Sequence, residues 1–210
     1  MKKAIIFDLD GTLLDTSEGV KKAILFVIKK MRLGLLTDEE MQEFIGPPIY
    51  ESLKKKYDLD ETETIEATEL FRCVYKEKYL YEAVTYAGIE DVLIYLKQRG
   101  YLLGVATNKR YDYVSPLLEK FDLLKYFDCV QGTDFENTLK KPDVIRNCME
   151  VLRLKIGDYA CMIGDTMQDY EGAKAVGIDF LGVTYGFGIT KNTSEISVVN
   201  NVSDIIKKFI

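Results

Sequence analysis

The sequence predicts an α/β fold built on a parallel sheet, and three observations predict it. Short apolar runs bounded by Gly, Asp or Thr recur at the length of buried strands. Amphipathic stretches at helical spacing lie between the later runs. The two kinds alternate, as they do where helices cover both faces of a parallel sheet. With 210 residues, 47% hydrophobic and 30% charged, the chain can bury such a core and has ordinary globular composition.

The elements follow in order. Residues 4–7 read as the first strand. From 15 to 83 no strand is read, and the rhythm is helical instead. Val20, Ala23, Ile24, Val27, Ile28 and Met31 form one apolar stripe. Thr37 with Glu40 three residues on has the spacing of a capping box, and Gly46-Pro47-Pro48 is a break. A charged, Tyr-rich segment then runs from 61 to 81, in which Phe71, Tyr75 and Tyr79 recur at helical spacing beside Tyr81. These aromatics read as the core of the insertion or, if they face a cleft, as a platform for a base. Strands are next expected at 102–106, 129–131, 160–163 and 180–183. Between them lie helical stripes of Val92, Leu93 and Leu96; of Val114, Leu117, Leu118 and Phe121; of Val144, Ile145, Cys148, Met149 and Leu152; and of Tyr170, Ala173 and Val176. Gly100 and Gly177 stand where left-handed helix ends would fall. The result is a Rossmann-like parallel-sheet core, residues 1–14 and 84–210, with an inserted all-helical domain at 15–83.

Composition excludes several chemistries. The formal charge is −6, which argues against coating a nucleic acid, since that needs a cationic surface to displace counterions. There is no histidine, so Ser-His-Asp and Cys-His catalysis and His-ligated zinc are ruled out. The four cysteines, Cys73, Cys129, Cys148 and Cys161, contain no CxxC pair and read as buried, reduced thiols. The opening MKKAIIFDLDG has a short apolar run that Asp8 breaks too early for a signal peptide or a membrane span. A cytoplasmic location without membrane association is the expectation, and no oligomeric state is read.

Four polar segments follow expected strands or precede a helix, at the sheet edge where ligands bind in doubly wound folds. Asp8-Leu9-Asp10-Gly11-Thr12 pairs two carboxylates in an elbow whose backbone N–H groups are free to face an anion. It fits a metal site, a nucleophile with an acid/base partner, or an Asx turn. Ala106-Thr107-Asn108-Lys109 offers a hydroxyl and amides to an oxyanion, or an ordinary helix N-cap. Lys140-Lys141-Pro142-Asp143 reads alone as a solvated lysine pair. Gly164-Asp165-Thr166-Met167-Gln168-Asp169 sets carboxylates four apart at a strand-to-helix turn, which suits the hard cation Mg2+.

Together, in the order DxDGT, T, K-P, GDxxxD, these segments resemble the haloacid dehalogenase-like hydrolase superfamily over nearly the whole chain, most specifically in FDLDGTLLDT and GDTMQDYEGAKAVG. The helical insertion is similar to the small cap of phosphoglycolate phosphatases, which closes over the site and selects the substrate. The resemblance implies a phosphatase with an aspartyl-phosphate intermediate. Asp8 is then the nucleophile and Asp10 the acid that protonates the leaving oxygen and later activates water. Mg2+ is implied on the Asp8 and Asp165 carboxylates and the Asp10 carbonyl, with Asp169 supporting its shell. Thr107, with the Asn108 and Gly11 amides, would hold phosphate oxygens. Lys141, rather than Lys140, would pair with the nucleophile and the phosphate. Such charges are needed, because two unit negative charges 4 Å apart repel by about 4 kcal/mol at an effective dielectric of 20.

The family's dehalogenases lack the second aspartate, so Asp10 points to phosphate-ester hydrolysis. A small phosphorylated metabolite is the expected substrate, phosphoglycolate first and a 5'-nucleotide second. Pyrophosphate hydrolysis and a β-phosphoglucomutase-type transfer use the same motifs. A receiver-type phospho-acceptor domain also uses Asp, Thr, Lys and Mg2+, but without a DxD on strand 1 or a cap after it. An idle binding protein need not keep Asp8, Asp10, Lys141 and Asp165 together. The chain departs from the family in having Ala87-Gly88 where a Pro-Gly hinge is common, and in lacking a glycine-rich lead-in to Lys141. Phe44 to Ile49 lies where relatives place a substrate-facing cap loop, and Tyr185-Gly186-Phe187-Gly188 is expected beside the site, after the last strand.

Overall fold

A computed structural model describes residues 1–135, 138–190 and 196–209. The chain divides into two compact units, Met1–Asp15 with Val84–Ile210, and Thr16–Ala83.

The larger unit is an α/β layer. Its strands are β1 (Lys3–Phe7), β4 (Leu102–Arg110), β5 (Cys129–Thr133), β6 (Tyr159–Gly164), β7 (Asp179–Val183) and β8 (Val198–Val199), all parallel, in the order β5-β4-β1-β6-β7-β8. β1 is central because it is buried on both faces: Ala4 to Phe7 are fully inaccessible. The helices are α5 (Ile89–Gln98), α6 (Tyr111–Lys120), α7 (Lys141–Val151), α8 (Met167–Val176) and α9 (Val202–Lys207). From β1 the chain steps outward to β4 and β5, then returns past β1 to β6 and β7. Because such crossovers are right-handed, the reversal puts α5 and α6 on one face and α7 and α8 on the other. On the latter face Val144, Ile145 and Cys148 of α7 and Ala173 of α8 pack onto Ala4, Ile6, Ala106, Cys129 and Met162. The reversal also leaves a crevice at the carboxyl end of β1, the usual binding position in open α/β sheets.

Two short strands, β2 (Leu14–Asp15) and β3 (Val84–Thr85), pair antiparallel where the chain leaves this unit and returns to it. The intervening unit is helical: α1 (Ser17–Met31), α2 (Asp38–Gln42), α3 (Ile49–Tyr57), α4 (Glu61–Val74) and a π-helical turn at Tyr75–Tyr79. Thr37 with Glu40 forms the capping box of α2, and Asp60 with Glu63 forms a second at α4. Ile24, Val27 and Ile28 of the apolar stripe meet Met41, Phe44, Leu53 and Ala67 in this unit's core. Tyr75 is buried and stacks on Phe71 with ring centroids 5.5 Å apart, whereas Tyr81 is exposed.

Three expectations need correction. β4 does not stop at Ala106 but runs on to Arg110, through a register shift against β5. β8 and α9 are absent from the sequence reading, because two strand residues carry no period. Cys129, Cys148 and Cys161 are buried free thiols, but Cys73 lies on the surface. Among the described residues no helix is long and apolar enough to cross a membrane.

Candidate active site

The end of β1 sets the first side chains. Asp8 N donates to Ile163 O at 2.8 Å, which extends the β1–β6 ladder by one residue and fixes Asp8 at the strand end. The chain then turns around the buried Leu9, whose carbonyl accepts from Leu13 N (2.9 Å) and Leu14 N (3.0 Å). Gly11 takes a φ of +77°, and a Cβ there would collide with the Asp165 carboxylate and the Phe187 ring. The turn corrects one expectation. Gly11 N donates to Leu14 O at 2.8 Å, so this amide closes the turn and does not face a phosphate.

Lys141 opens α7, with Pro142 in the first turn, where a missing N–H leaves no helical bond unmade. Its side chain is buried, and Nζ donates to Asp8 Oδ1 at 2.7 Å and to Ala106 O at 3.0 Å. The same ammonium lies 2.6 Å from Asp169 Oδ1. Lys140, in contrast, is exposed, so the solvated reading of the doublet describes only its first member.

Asp169 is the third residue of α8. It forms a capping box with Thr166: Thr166 N donates to Asp169 Oδ2 at 3.0 Å, Thr166 Oγ1 donates to it at 2.6 Å, and Asp169 N donates back to Thr166 Oγ1 at 3.3 Å. Asp165, fully buried after β6, accepts from Thr12 Oγ1 (3.2 Å) on Oδ1 and from Phe187 N (2.7 Å) on Oδ2. The segment from Tyr185 to Gly188 thus lies against the site as expected, although it follows β7 and not the last strand. A side chain on Gly186 would strike Gly11 O and Asp165 Cβ, so that approach requires glycine.

Thr107 and Asn108 stand in β4 and not at a helix N-cap. Thr107 is buried, and its Oγ1 accepts from Lys109 N at 3.2 Å. Asn108 Nδ2 donates to Gln168 Oε1 at 2.7 Å, tying the end of β4 to the start of α8. Lys109, which the sequence reading assigned no part, places Nζ 3.1 Å from each oxygen of Asp10. Thr12, Thr166 and Phe187 lie in segments expected at the site, but their contacts with Asp165 and Asp169 were not read. For Thr166 alone the partner had a local signal, the T-x-x-D spacing of a capping box.

The electrostatics follow from burial. Desolvation, opposed by Lys141 and aided by Asp169 and Asp10, pushes the Asp8 carboxyl up to about 7. Desolvation, with the charges of Asp8 and Asp169, pushes Asp165 up to about 8. Burial works against the charge on Lys141, but Asp169 and Asp8 outweigh it and hold the ammonium above its ordinary range. Asp8, Asp165 and Asp169 each offer an oxygen within 4.8 Å of the others, and all three are buried. Three buried carboxylates, two of them paired with Lys141, form a hard, anionic donor set, which fits an oxygen-seeking divalent cation such as Mg2+.

A family described as haloacid dehalogenase-like hydrolase matches residues 5–183. A 5'-nucleotidase from Pseudomonas aeruginosa is 32% identical over 185 residues, covering 88% of this chain and 83% of its own. A phosphoglycolate phosphatase from Agrobacterium fabrum is 33% identical over 190 residues, covering 87% and 80%. The crystal structure of a predicted phosphatase from Clostridium acetobutylicum superposes with a TM-score of 0.91 at 36% identity, over 100% of this chain and 98% of that one.

Proposed function

The chain belongs to the haloacid dehalogenase-like hydrolase family and is a phosphatase, and from that premise we propose that it is a Mg2+-dependent phosphomonoester hydrolase working through an aspartyl-phosphate on Asp8. The observation that carries this reading is the buried Asp8 carboxylate at the end of β1, gripped by Lys141 at 2.7 Å, with Asp10 two residues beyond. Residues 1–14 and 84–210 form the catalytic domain, and 15–83 the domain that sets substrate choice.

Lys141 fixes the plane of the Asp8 carboxylate through Oδ1 and offsets the repulsion between that carboxylate and an incoming phosphate. Asp8 attacks phosphorus, the bond from phosphorus to the ester oxygen breaks, and Asp10 gives that oxygen its proton. Asp10, now ionised, takes a proton from water as the water attacks the acyl phosphate, and inorganic phosphate leaves with Asp8 restored. Thr107 and Asn108 hold the phosphate oxygens during both steps. Mg2+, held by the Asp8 and Asp165 carboxylates and the Asp10 carbonyl with Asp169 supporting its shell, would supply positive charge against the transferring phosphoryl group.

The substrate is a small phosphorylated metabolite. The names of the Agrobacterium and Pseudomonas relatives support phosphoglycolate as the first choice and a 5'-nucleotide as the second. A phosphate-release screen with Mg2+ tests the reading, comparing phosphoglycolate, 5'-nucleotides, sugar phosphates, pyrophosphate and p-nitrophenyl phosphate. The protein should release phosphate from at least one ester and the Asp8→Asn variant from none. Release from no compound, the aryl ester included, would overturn the hydrolase reading in favour of a phosphotransferase or an idle binding protein.

A further inference from the structure

We propose that Lys109 is the positioning residue for Asp10, holding its carboxyl group in the orientation that proton delivery to the leaving oxygen requires. The proposal rests on the role given to Asp10 above. Nζ of Lys109 lies 3.1 Å from both Oδ1 and Oδ2 of Asp10, a two-point grip that fixes the carboxyl torsion where a single contact would let it turn. The pair is largely withdrawn from water, the two side chains being 8% and 22% exposed, so the contact is weakly screened.

The backbone is shaped to seat this lysine. Between Ala106 and Arg110 the pairing of β4 with β5 shifts register, an irregularity that re-aims side chains. Within the shifted segment Lys109 N is tied to Thr107 Oγ1 at 3.2 Å. Opposite it stands Gly132 of β5, where a Cβ would come 2.5 Å from Lys109 O and 2.7 Å from the Tyr111 Cα. Only a residue without a side chain lets the Lys109 segment lie there. The next residue is locked by other partners. Arg110 makes a two-bond pair with Asp112 at 2.9 and 2.8 Å and lies over the Tyr113 and Phe135 rings at 4.7 and 4.6 Å.

The two lysines of the site divide three of its four carboxylates between them, Asp165 being held by Thr12 and the Phe187 amide. Lys141 serves Asp8 and Asp169, and Lys109 serves Asp10. The attacking group and the proton-handling group are thereby oriented independently. Asp10 sits on a turn, not in the sheet ladder, and a displacement of 1 Å from productive geometry can cost about 10²-fold in rate.

The test uses phenyl phosphate and p-nitrophenyl phosphate, which are nearly alike in shape but differ in how much the leaving oxygen needs a proton. kcat/KM reports the first transfer. Lys109→Met should lower it on the order of 10-fold or more for phenyl phosphate, and far less for p-nitrophenyl phosphate, the unequal loss expected of Asp10→Asn. Lys109→Arg should recover part of it. Thermal melting checks the fold; should Lys109→Met not fold, Gly132→Ala, which displaces the segment but keeps the lysine, must give the same unequal loss. Equal losses on the two esters in Lys109→Met, with unequal losses in Asp10→Asn, would overturn the role of Lys109 alone. Equal losses in Asp10→Asn would remove the role of Asp10, and this proposal with it.

Discussion

At the scale of single residues, the site is a problem of unlike neighbours. Asp8 has a carboxyl pushed up to about 7 by burial, so it is held at an energetic cost in the metal-free protein. Asp8→Asn should therefore abolish turnover while leaving the melting temperature unchanged or raised, since Lys141 keeps Asp169 at 2.6 Å. Phosphate-release assays and thermal unfolding on the same preparation check both halves, and retained turnover would remove Asp8 as nucleophile. The candidate residues were legible for a simple reason: each stands at a fixed spacing from a strand end or a helix start. The partners of those side chains were not legible. Lys109 is one letter of an unremarkable tripeptide, and nothing local says that its ammonium meets a carboxylate 99 positions away.

At the scale of elements, the first turn of α8 couples helix stability to the site. Thr166 closes the turn by exchanging hydrogen bonds with Asp169, whose other oxygen faces Lys141. Thr166→Ala should cost about 1 kcal/mol, as lost N-caps do, and lower the melting temperature by about 2–4 °C for a chain of this size. It should also reduce kcat/KM by about 10-fold, because a loosened Asp169 no longer orients Lys141. Thr166→Ser, which keeps the hydroxyl, should restore both quantities. A variant that melts lower at full activity would separate the cap from the chemistry. The element ends were the least legible part of the chain. The polar run at Thr107-Asn108 has the look of a helix start because Thr and Asn favour N-caps. Pairing of Arg110 with Thr133 instead keeps the backbone extended past Ala106.

At the scale of the whole molecule, the buried carboxylates tie stability to pH and, on the proposed function, to Mg2+. Asp8 and Asp165 have folded-state values raised from 3.8 to about 7 and about 8. A raised carboxyl means that the folded chain binds protons more tightly than the unfolded one. The stability from these groups is therefore full below about pH 4 and is lost as pH rises through 7 and 8. In EDTA, the melting temperature should fall across that interval, and Asp165→Asn should flatten the fall. Excess Mg2+ should raise it more at pH 8 than at pH 5.5, where the cation must displace protons before it binds. The same chelation should silence phosphate release, and Mg2+ should restore it. Equal Mg2+ effects at the two pH values, or turnover indifferent to EDTA, would undo the metal assignment.

The sequence by itself determined the α/β class, the helical character of the stretch that follows β1, and which carboxylates and which lysine stand as candidates for the cluster at the end of that strand. Each is a local property: a period of apolar residues, a capping pair, a polar residue set just past an apolar run. The tertiary structure alone decided which polar groups meet. It set Lys109 on Asp10 and laid the Phe187 N–H on Asp165. These contacts depend on β4 and β6 flanking β1 although they begin at Leu102 and Tyr159. Strand order is fixed by burial of a shared core and the handedness of its crossovers, and no short window of sequence encodes either.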